Sequence, residues 1–339
     1  MPPASDDDAG LSISVVIPVF NAAGSLRTLV ARLQSALTPL GLGYEVILVN
    51  DGSRDGSWDL IRDLAASDTC VRGINMSRNY GQHNALLCGV RAARGEVVVT
   101  MDDDLQNPPE EIPRLLARLN EGFDAVYGTP ERERHGLWRD LASRVTKLAL
   151  QNAMGAETAA KVSAFRAFRT RLREAFADYR SPYICLDVVL AWGTTAFSAV
   201  TVRHEDRQHG VSNYTLRKLI VHALNMMTGF STLPLQVASL LGLALSLGGV
   251  AVMLYVLGRY FIEGGAVPGF PFLACIIALF SGAQLFALGI IGEYIARMHF
   301  RMMERPVYTV MSTTDARGGP ASGCLPYEPT CPAHLSVSD

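Results

Sequence analysis

The chemistry in this chain centres on three consecutive aspartates, Asp102-Asp103-Asp104, at the end of an apolar, β-branched run from Glu96 to Met101. Asp102 and Asp104 stand two residues apart, so both can offer hard carboxylate oxygens to one divalent cation. Such donors suit Mg²⁺ or Mn²⁺, which commonly bridge to substrate phosphates and neutralise a departing diphosphate. An acidic turn capping the next helix would use the same residues. Two further clusters favour the metal reading. Asn50-Asp51-Gly52-Ser53 ends the second apolar run; Asp51 there can accept hydrogen bonds from a base or ribose, although an Asp-Gly turn is common in its own right. The stretch from Arg203 to Leu219, RHEDRQHGVSNYTLRKL, gathers Arg203, Arg207 and Lys218 with Ser212 and Tyr214. Cations and hydroxyls at that density can bind a diphosphate or a lipid phosphate, or form a basic loop drawn to anionic lipid.

These clusters need a scaffold that brings them together, and the first third supplies one. Apolar runs at Ile13–Val19, Tyr44–Asn50, Val71–Asn75, Glu96–Met101 and Asp124–Gly128 read as strands. Helical spacing covers Ser25–Leu37, with Ser25 as a cap, and then Trp58–Ala66, Gln82–Ala93 and Glu110–Glu121. The alternation predicts an α/β fold with a doubly wound parallel sheet and right-handed crossovers. Ligands of such sheets bind beyond the carboxyl ends of the strands, where Pro18–Asn21, Asn50–Ser53 and Asp102–Gln106 fall. No GxGxxG follows the first strand and no GxxxxGK[ST] occurs, which disfavours dinucleotide oxidoreductases and P-loop NTPases.

The last third has a different solvent. Leu233–Gly258 and Ala266–Gly292 are uncharged runs of 26 and 27 residues. As helices each is about 40 Å long at 1.5 Å per residue, enough to cross a ~30 Å hydrocarbon core with tilt. They raise the mean hydropathy of the whole chain to +0.19. Arg217 and Lys218 precede the pair; Arg297, Arg301 and Arg305 follow it, an asymmetry that places both outer flanks in the cytoplasm. Ala238, Gly242 and Ser246 share a stripe that can seat the neighbouring helix. Between the two regions, Tyr214–Ser231 reads as an amphipathic helix in the headgroup layer. The expected organisation is therefore a leader over 1–10, a catalytic domain over 11–212, an interfacial helix over 213–231, and spans at 233–258 and 266–292 within 232–296. A cytosolic return over 297–311 and a flexible tail over 312–339 complete it. The N-terminus carries no signal-peptide pattern. The six cysteines show no metal or disulfide spacing and read as reduced cytosolic thiols. A net charge of −2 argues against general nucleic-acid binding.

Taken in order, VVIPVFN, ILVNDGS, MSRNYGQHNAL, TMDDDLQNPPEEIPRL, GTPERERHGLWR, FRAFR, RHEDRQHGVSNYTLRKL and LGIIGEYIAR resemble the bacterial polyprenyl-phosphate glycosyltransferases. That group belongs to glycosyltransferase family two. It is related to dolichyl-phosphate mannose synthase, undecaprenyl-phosphate glucosyltransferase and undecaprenyl-phosphate aminoarabinose transferase. The resemblance runs from about Ser14 to Val310, with DLQNPPE and RxxGxSxY its most specific parts.

It implies a GT-A catalytic domain holding Mg²⁺ or Mn²⁺ on Asp102 and Asp104. Pro18, Phe20, Asn21, Asp51, Asp102, Asp103 and Arg134 would bind the nucleotide-sugar. Arg203, Arg207, Ser212, Tyr214 and Lys218 would meet the lipid phosphate or diphosphate. Asp104, Gln106 and Arg207 would act at the reacting centre, with Asp187 in reserve as a base or acceptor-side contact. The implied reaction is inverting transfer of one sugar from a nucleotide-sugar, preferably a UDP-sugar, to undecaprenyl or decaprenyl phosphate, for modification of a cell-envelope glycan. The enzyme would sit in the cytoplasmic membrane as a multi-pass protein, with its catalytic domain and both termini cytosolic; a homo-oligomer is a further expectation of the resemblance. Four stretches depart from the family pattern: Ala22 and Ala23 follow Asn21, Asn50 rather than an aspartate precedes Asp51, Glu131 replaces an arginine, and Ser163 and Ala164 stand where an acid is usual. A processive polysaccharide synthase is the rival enzyme, but no QxxRW occurs. A non-catalytic membrane scaffold of the same fold is the other alternative.

Overall fold

The structure, a computed structural model, describes residues 11–130, 161–181, 184–205, 228, 232–263, 269–303 and 305–314. β-branched runs bounded by turn residues form the strands β1 (Leu11–Val19), β2 (Gly43–Asn50), β3 (Val71–Met76) and β4 (Val97–Thr100). The helices between them are α1 (Leu26–Leu37), α2 (Ser57–Ser67) and α3 (Gln82–Ala92). After β4 come α4 (Ile112–Leu119), β5 (Ala125–Pro130), β6 (Arg166–Arg169), α5 (Leu186–Gly193) and β7 (Phe197–Val202). The chain then enters two long helices, α6 (Leu233–Glu263) and α7 (Phe270–Met302), and returns as β8 (Val310–Thr314).

The strands form one eight-stranded sheet in the order β7-β5-β6-β4-β1-β2-β3-β8. Both faces are covered, so the central strands carry apolar side chains without alternation. Val15 and Ile17 pack with Leu29 and Leu33 of α1 and Ile61 of α2; Val16, Ile47 and Val49 pack with Leu86, Leu87 and Val90 of α3. β1 pairs in parallel with β2 and β4, and β2 with β3. Their carboxyl ends therefore share one edge, with Val19 opposite Asn50 and Val16 opposite Thr100. The order turns at β1, the switch point where open α/β sheets bind ligands.

The sheet is mostly parallel, as expected, with two antiparallel strands. β6 runs antiparallel to both β4 and β5, and β8 antiparallel to β3. β6 is the FRAFR stretch, whose buried Arg166 hides a strand behind a charge. The tail expected from residue 312 is in fact partly strand: the Thr314 hydroxyl accepts from the Gly73 amide at 2.7 Å, and the Thr309 carbonyl from the Ser77 amide at 2.9 Å. The helix expected to end before 297 continues to Met302, held by an Arg297–Glu293 pair one turn apart. Ser25 does not cap α1 with its side chain; its hydroxyl donates to the Ala22 carbonyl at 3.1 Å. The expected interfacial helix lies, apart from Thr228, outside the described residues.

α6 and α7 contain spans at Leu233–Arg259 and Leu279–Met302, each long and apolar enough to cross a membrane and neither buried in the protein. Leu240, Leu247 and Leu254 of α6 are each at least 60% exposed. Apolar surface of that extent in water would be a large liability, and it associates the chain with a membrane. Of the expected small-residue stripe, Ala238 is buried, but nothing lies near Gly242, and Ser246 bonds back to its own helix. The close approach occurs instead at Gly249, where an added Cβ would meet the Phe280 ring at 3.0 Å.

α3 lies so near the sheet that a Cβ on Gly89 would stand 2.3 Å from Val16 Cγ1. Gly89→Val should therefore cost about 1–3 kcal/mol of stability through overpacking, read as a lower thermal midpoint of the purified protein.

Candidate active site

Four loops meet beyond the shared strand ends, and side chains from one loop hold the backbone of the next. Asp51 follows β2 and is 3% exposed. Its two oxygens accept from the backbone amides of Tyr80 and Gly81 at 2.7 and 2.9 Å. Burial pushes this carboxyl up, and the two amide bonds oppose the rise. Gly52 has φ +68°, and an added Cβ would sit 2.5 Å from the Asn79 nitrogen. The β3–α3 loop thus lies directly on the Asp51-Gly52 turn. Asn50 completes the layer by donating from Nδ2 to Asn75 Oδ1 at 2.7 Å.

The turn after β1 is held from the other side. Asn21 has φ +54°, a conformation Asn tolerates better than most residues. Its amide donates to Ser53 Oγ at 3.0 Å, and its Oδ1 accepts from the Arg54 amide at 2.8 Å. The Ala22 and Ala23 amides donate to Ser57 Oγ and Asp55 Oδ2. Pro18 is buried in β1, while Phe20 projects at 46% exposure beside the acidic loop.

That loop is pinned residue by residue. Asp102 Oδ1 accepts from Gln82 Nε2 at 2.6 Å, Asp103 Oδ2 from the Phe20 amide at 3.3 Å, and Asp104 Oδ1 from the Gln106 amide at 3.1 Å. Leu105 takes φ +61° with its side chain fully buried. A branched aliphatic residue in that region costs about 1–2 kcal/mol, so the core contact at Leu105 holds a bend that keeps Asp104 and Gln106 at the loop surface. Among the described residues no group of three or more His, Cys, Asp or Glu is arranged around a metal position. The donor set is two half-buried carboxylates. It fits a cation such as Mg²⁺ or Mn²⁺ that brings phosphate and water as its remaining ligands, rather than one caged by protein.

The exit of the acidic loop is bound to the segment after β7. The Arg32 guanidinium of α1 contacts Glu110 through Nε and Nη2 at 2.9 and 2.8 Å, and Glu205 through Nη1 and Nη2 at 3.0 and 2.9 Å. Arg203 Nε donates to Glu111 Oε1 at 2.7 Å, so this expected phosphate contact already has a carboxylate partner. The reserve base Asp187 does not face solvent. It is 4% exposed and ion-paired with Arg166, whose Nε donates to Thr100 Oγ1 at 3.0 Å. A carboxylate committed to a buried arginine is poorly suited to collect a proton from an incoming substrate. Arg134, Arg207, Ser212, Tyr214 and Lys218 lie outside the described residues.

The sequence profile of Glycosyl transferase family 2 matches residues 14–179. Undecaprenyl-phosphate 4-deoxy-4-formamido-L-arabinose transferase of Pseudomonas paraeruginosa is 37% identical over 301 residues, 88% of this chain and 89% of that protein. The chain belongs to glycosyl transferase family 2. The enzyme of the same name from Yersinia enterocolitica is 34% identical over 315 residues, 92% of this chain and 96% of that protein. Among solved structures, glucosyl-3-phosphoglycerate synthase of Mycobacterium tuberculosis, determined with Mn²⁺, UDP and glucosyl-3-phosphoglycerate, is 22% identical. It covers 65% of this chain and 79% of that one, with a TM-score of 0.46. The family makes the protein a glycosyltransferase, built on a mixed α/β sheet with two apolar C-terminal helices.

Gln82, Ser53, Asp55 and Arg32 are additions to the expected site. Gln82 lay within a quoted motif, immediately after a glycine that opens a helix; Ser53 and Asp55 belong to the turn DGSRDGS. Arg32 carried no signal beyond being one polar residue on an amphipathic helix.

Two outcomes are expected from this geometry. Asp51→Asn places an amide donor against one of two backbone N–H groups, leaves that group unsatisfied at about 1–3 kcal/mol, and should weaken nucleotide binding, as read by calorimetric titration. Hydrogen bonds from Arg32 hold Glu110 and Glu205 below the usual glutamate value of 4.5. Stability from such groups is full above that value and drains as pH falls through their lowered ones. Thermal midpoints should fall below about pH 4.5, and Arg32→Met should flatten that fall.

Proposed function

We propose that this glycosyltransferase moves a single sugar from a UDP-sugar to undecaprenyl phosphate or a similar polyprenyl phosphate. The observation that carries this reading is the extent of the relatedness. Identity of 37% spans 88% of the chain, enough to include sequence from both the acidic loop and the apolar helices. A hydrophilic donor and a lipid acceptor require those two parts in one molecule. The positive flanks Arg217, Lys218, Arg297, Arg301 and Arg305 support a multi-pass arrangement with the catalytic domain and both termini on the cytosolic side.

In this mechanism Phe20, Asn21 and Asp51 line and shape the donor loops, with Asp51 acting through the Tyr80–Gly81 backbone that it holds. Asp102 and Asp104 would hold Mg²⁺ or Mn²⁺, and a cation there supplies charge neutralisation for the diphosphate leaving group. Gln82 keeps Asp102 turned toward the loop surface, and the Leu105 bend presents Asp104 and Gln106. An acceptor phosphate oxygen attacks the anomeric carbon as the bond to the diphosphate oxygen breaks, inverting that centre and releasing UDP. A phosphate monoester has its second pKa near ~6 and is mostly dianionic at neutral pH, so positioning and charge neutralisation can drive the transfer without a base. That accords with Ser163 and Ala164 in place of an acid and with Asp187 committed to Arg166. Arg134 on the donor side, and Arg203, Arg207, Ser212, Tyr214 and Lys218 on the acceptor side, complete the proposed set, together with Asp103 and Pro18 in the donor loops.

Purified protein with Mn²⁺, undecaprenyl phosphate and a mixed nucleotide-sugar pool should yield a lipid carrying one sugar, identified by mass spectrometry. Asp102→Asn with Asp104→Asn should lower turnover by roughly 10²-fold or more, in line with loss of a principal electrostatic contribution, and should abolish its cation dependence. Absence of a lipid product from any donor, or unchanged turnover in the double variant, overturns the proposal.

A further inference from the structure

Arg32 sits on α1, outside the loops that the proposed reaction uses, yet it satisfies two carboxylates from distant parts of the chain at once. Its three guanidinium nitrogens make four contacts of 2.8–3.0 Å, two to Glu110 and two to Glu205. Only a planar fork can serve both acids in this way; a lysine ammonium offers a point charge. Alongside it, the Glu205 amide donates to the Gln106 carbonyl at 2.9 Å, and Arg203 pairs with Glu111. Together these bonds join the exit of the acidic loop, Gln106–Glu111, to the three residues that lead from β7 into Arg207, Ser212, Tyr214 and Lys218.

Stability alone does not account for such an arrangement. The Arg32 side chain is 23% exposed and both glutamates 39%, and ion pairs at that exposure contribute little to folding. Geometry gains more from them. Transfer between two bound substrates depends on reacting atoms meeting within tenths of an ångström, and a small displacement is costly in rate. We infer that Arg32 is a positioning residue that fixes residues 203–205, the entry to the proposed lipid-phosphate segment, at a set distance from the acidic loop. The inference rests on the sugar-transfer reading above.

The test uses the full-length protein in lipid nanodiscs with Arg32→Lys, Arg32→Met, Glu205→Gln and the pair Arg32→Met/Glu205→Gln. In each single variant, kcat/KM for undecaprenyl phosphate should fall about tenfold, while UDP affinity stays at the wild-type level and the thermal midpoint at neutral pH drops only by the small amount that half-exposed ion pairs contribute. The pair should lose no more than the worse single change, and lysine should not restore the rate. Amide hydrogen exchange should rise in both 104–111 and 203–206 when either partner is changed. Additive losses, recovery with lysine, a matching loss of UDP affinity, or exchange unchanged in either segment would each overturn the inference. A wild-type protein that transfers no sugar would count against the function instead; the exchange result decides the clamp by itself.

Discussion

A single carboxylate organises the loops at the carboxyl ends of the central strands. Asp51 is nearly closed off from water, and its two oxygens terminate the Tyr80 and Gly81 amides at the start of α3. Without an acceptor there, two N–H groups would be left orphaned at the point where the β3–α3 loop lies against the Gly52 backbone. The same loop carries Gln82, which restrains Asp102. The position of the acidic loop therefore depends, through two hydrogen-bonded steps, on a residue at the end of a different strand, 51 places earlier in the chain than Asp102. Much of this loop surface is built in this manner, from side chains that hold backbone.

The buried Arg166–Asp187 pair has a comparable role on the opposite side of β4. Arg166 opens the one strand that runs antiparallel between two others, and it contacts Thr100, the last strand residue before the acidic cluster. A charge inside the sheet is tolerable because its partner is buried with it and its Nε has a hydroxyl acceptor. Removing either member would leave the other uncompensated in a site that water does not reach. This is a structural use of a carboxylate that sequence inspection would equally well assign to catalysis.

Much of the architecture was legible because its physics is local. Apolar β-branched runs, two of them ending in Asn-Asp-Gly and Asp-Asp-Asp, marked β1 to β5 to within about two residues, and uninterrupted apolar stretches marked the two long helices. The elements that escaped have mixed signals. β6 is four residues with arginine at both ends. β8 is short, rich in Ser and Thr, and paired only through contacts 241 residues distant in sequence, such as Thr314 with Gly73. The ends of α6 and α7 ran past their first charges because Arg, Glu and His prolong a helix readily once its apolar part is in place. Of the site, the acidic triplet and Asp51 were visible as types at strand ends. The partners that orient them were not, because Gln82 and Arg32 acquire meaning only when the chain closes upon itself.

The hydrogen bonds of β8 bear on how the enzyme would meet the lipid proposed for it. Because the polypeptide leaving the second apolar helix is stitched into the sheet margin within eight residues, the globular head would be joined to the proposed membrane hairpin by two attachments rather than one. A head on one tether can swivel; a head on two has a preferred tilt. For the proposed lipid acceptor, diffusing in two dimensions, the strand-end loops would then already be oriented, sparing part of the orientational search that a freely swinging head would face.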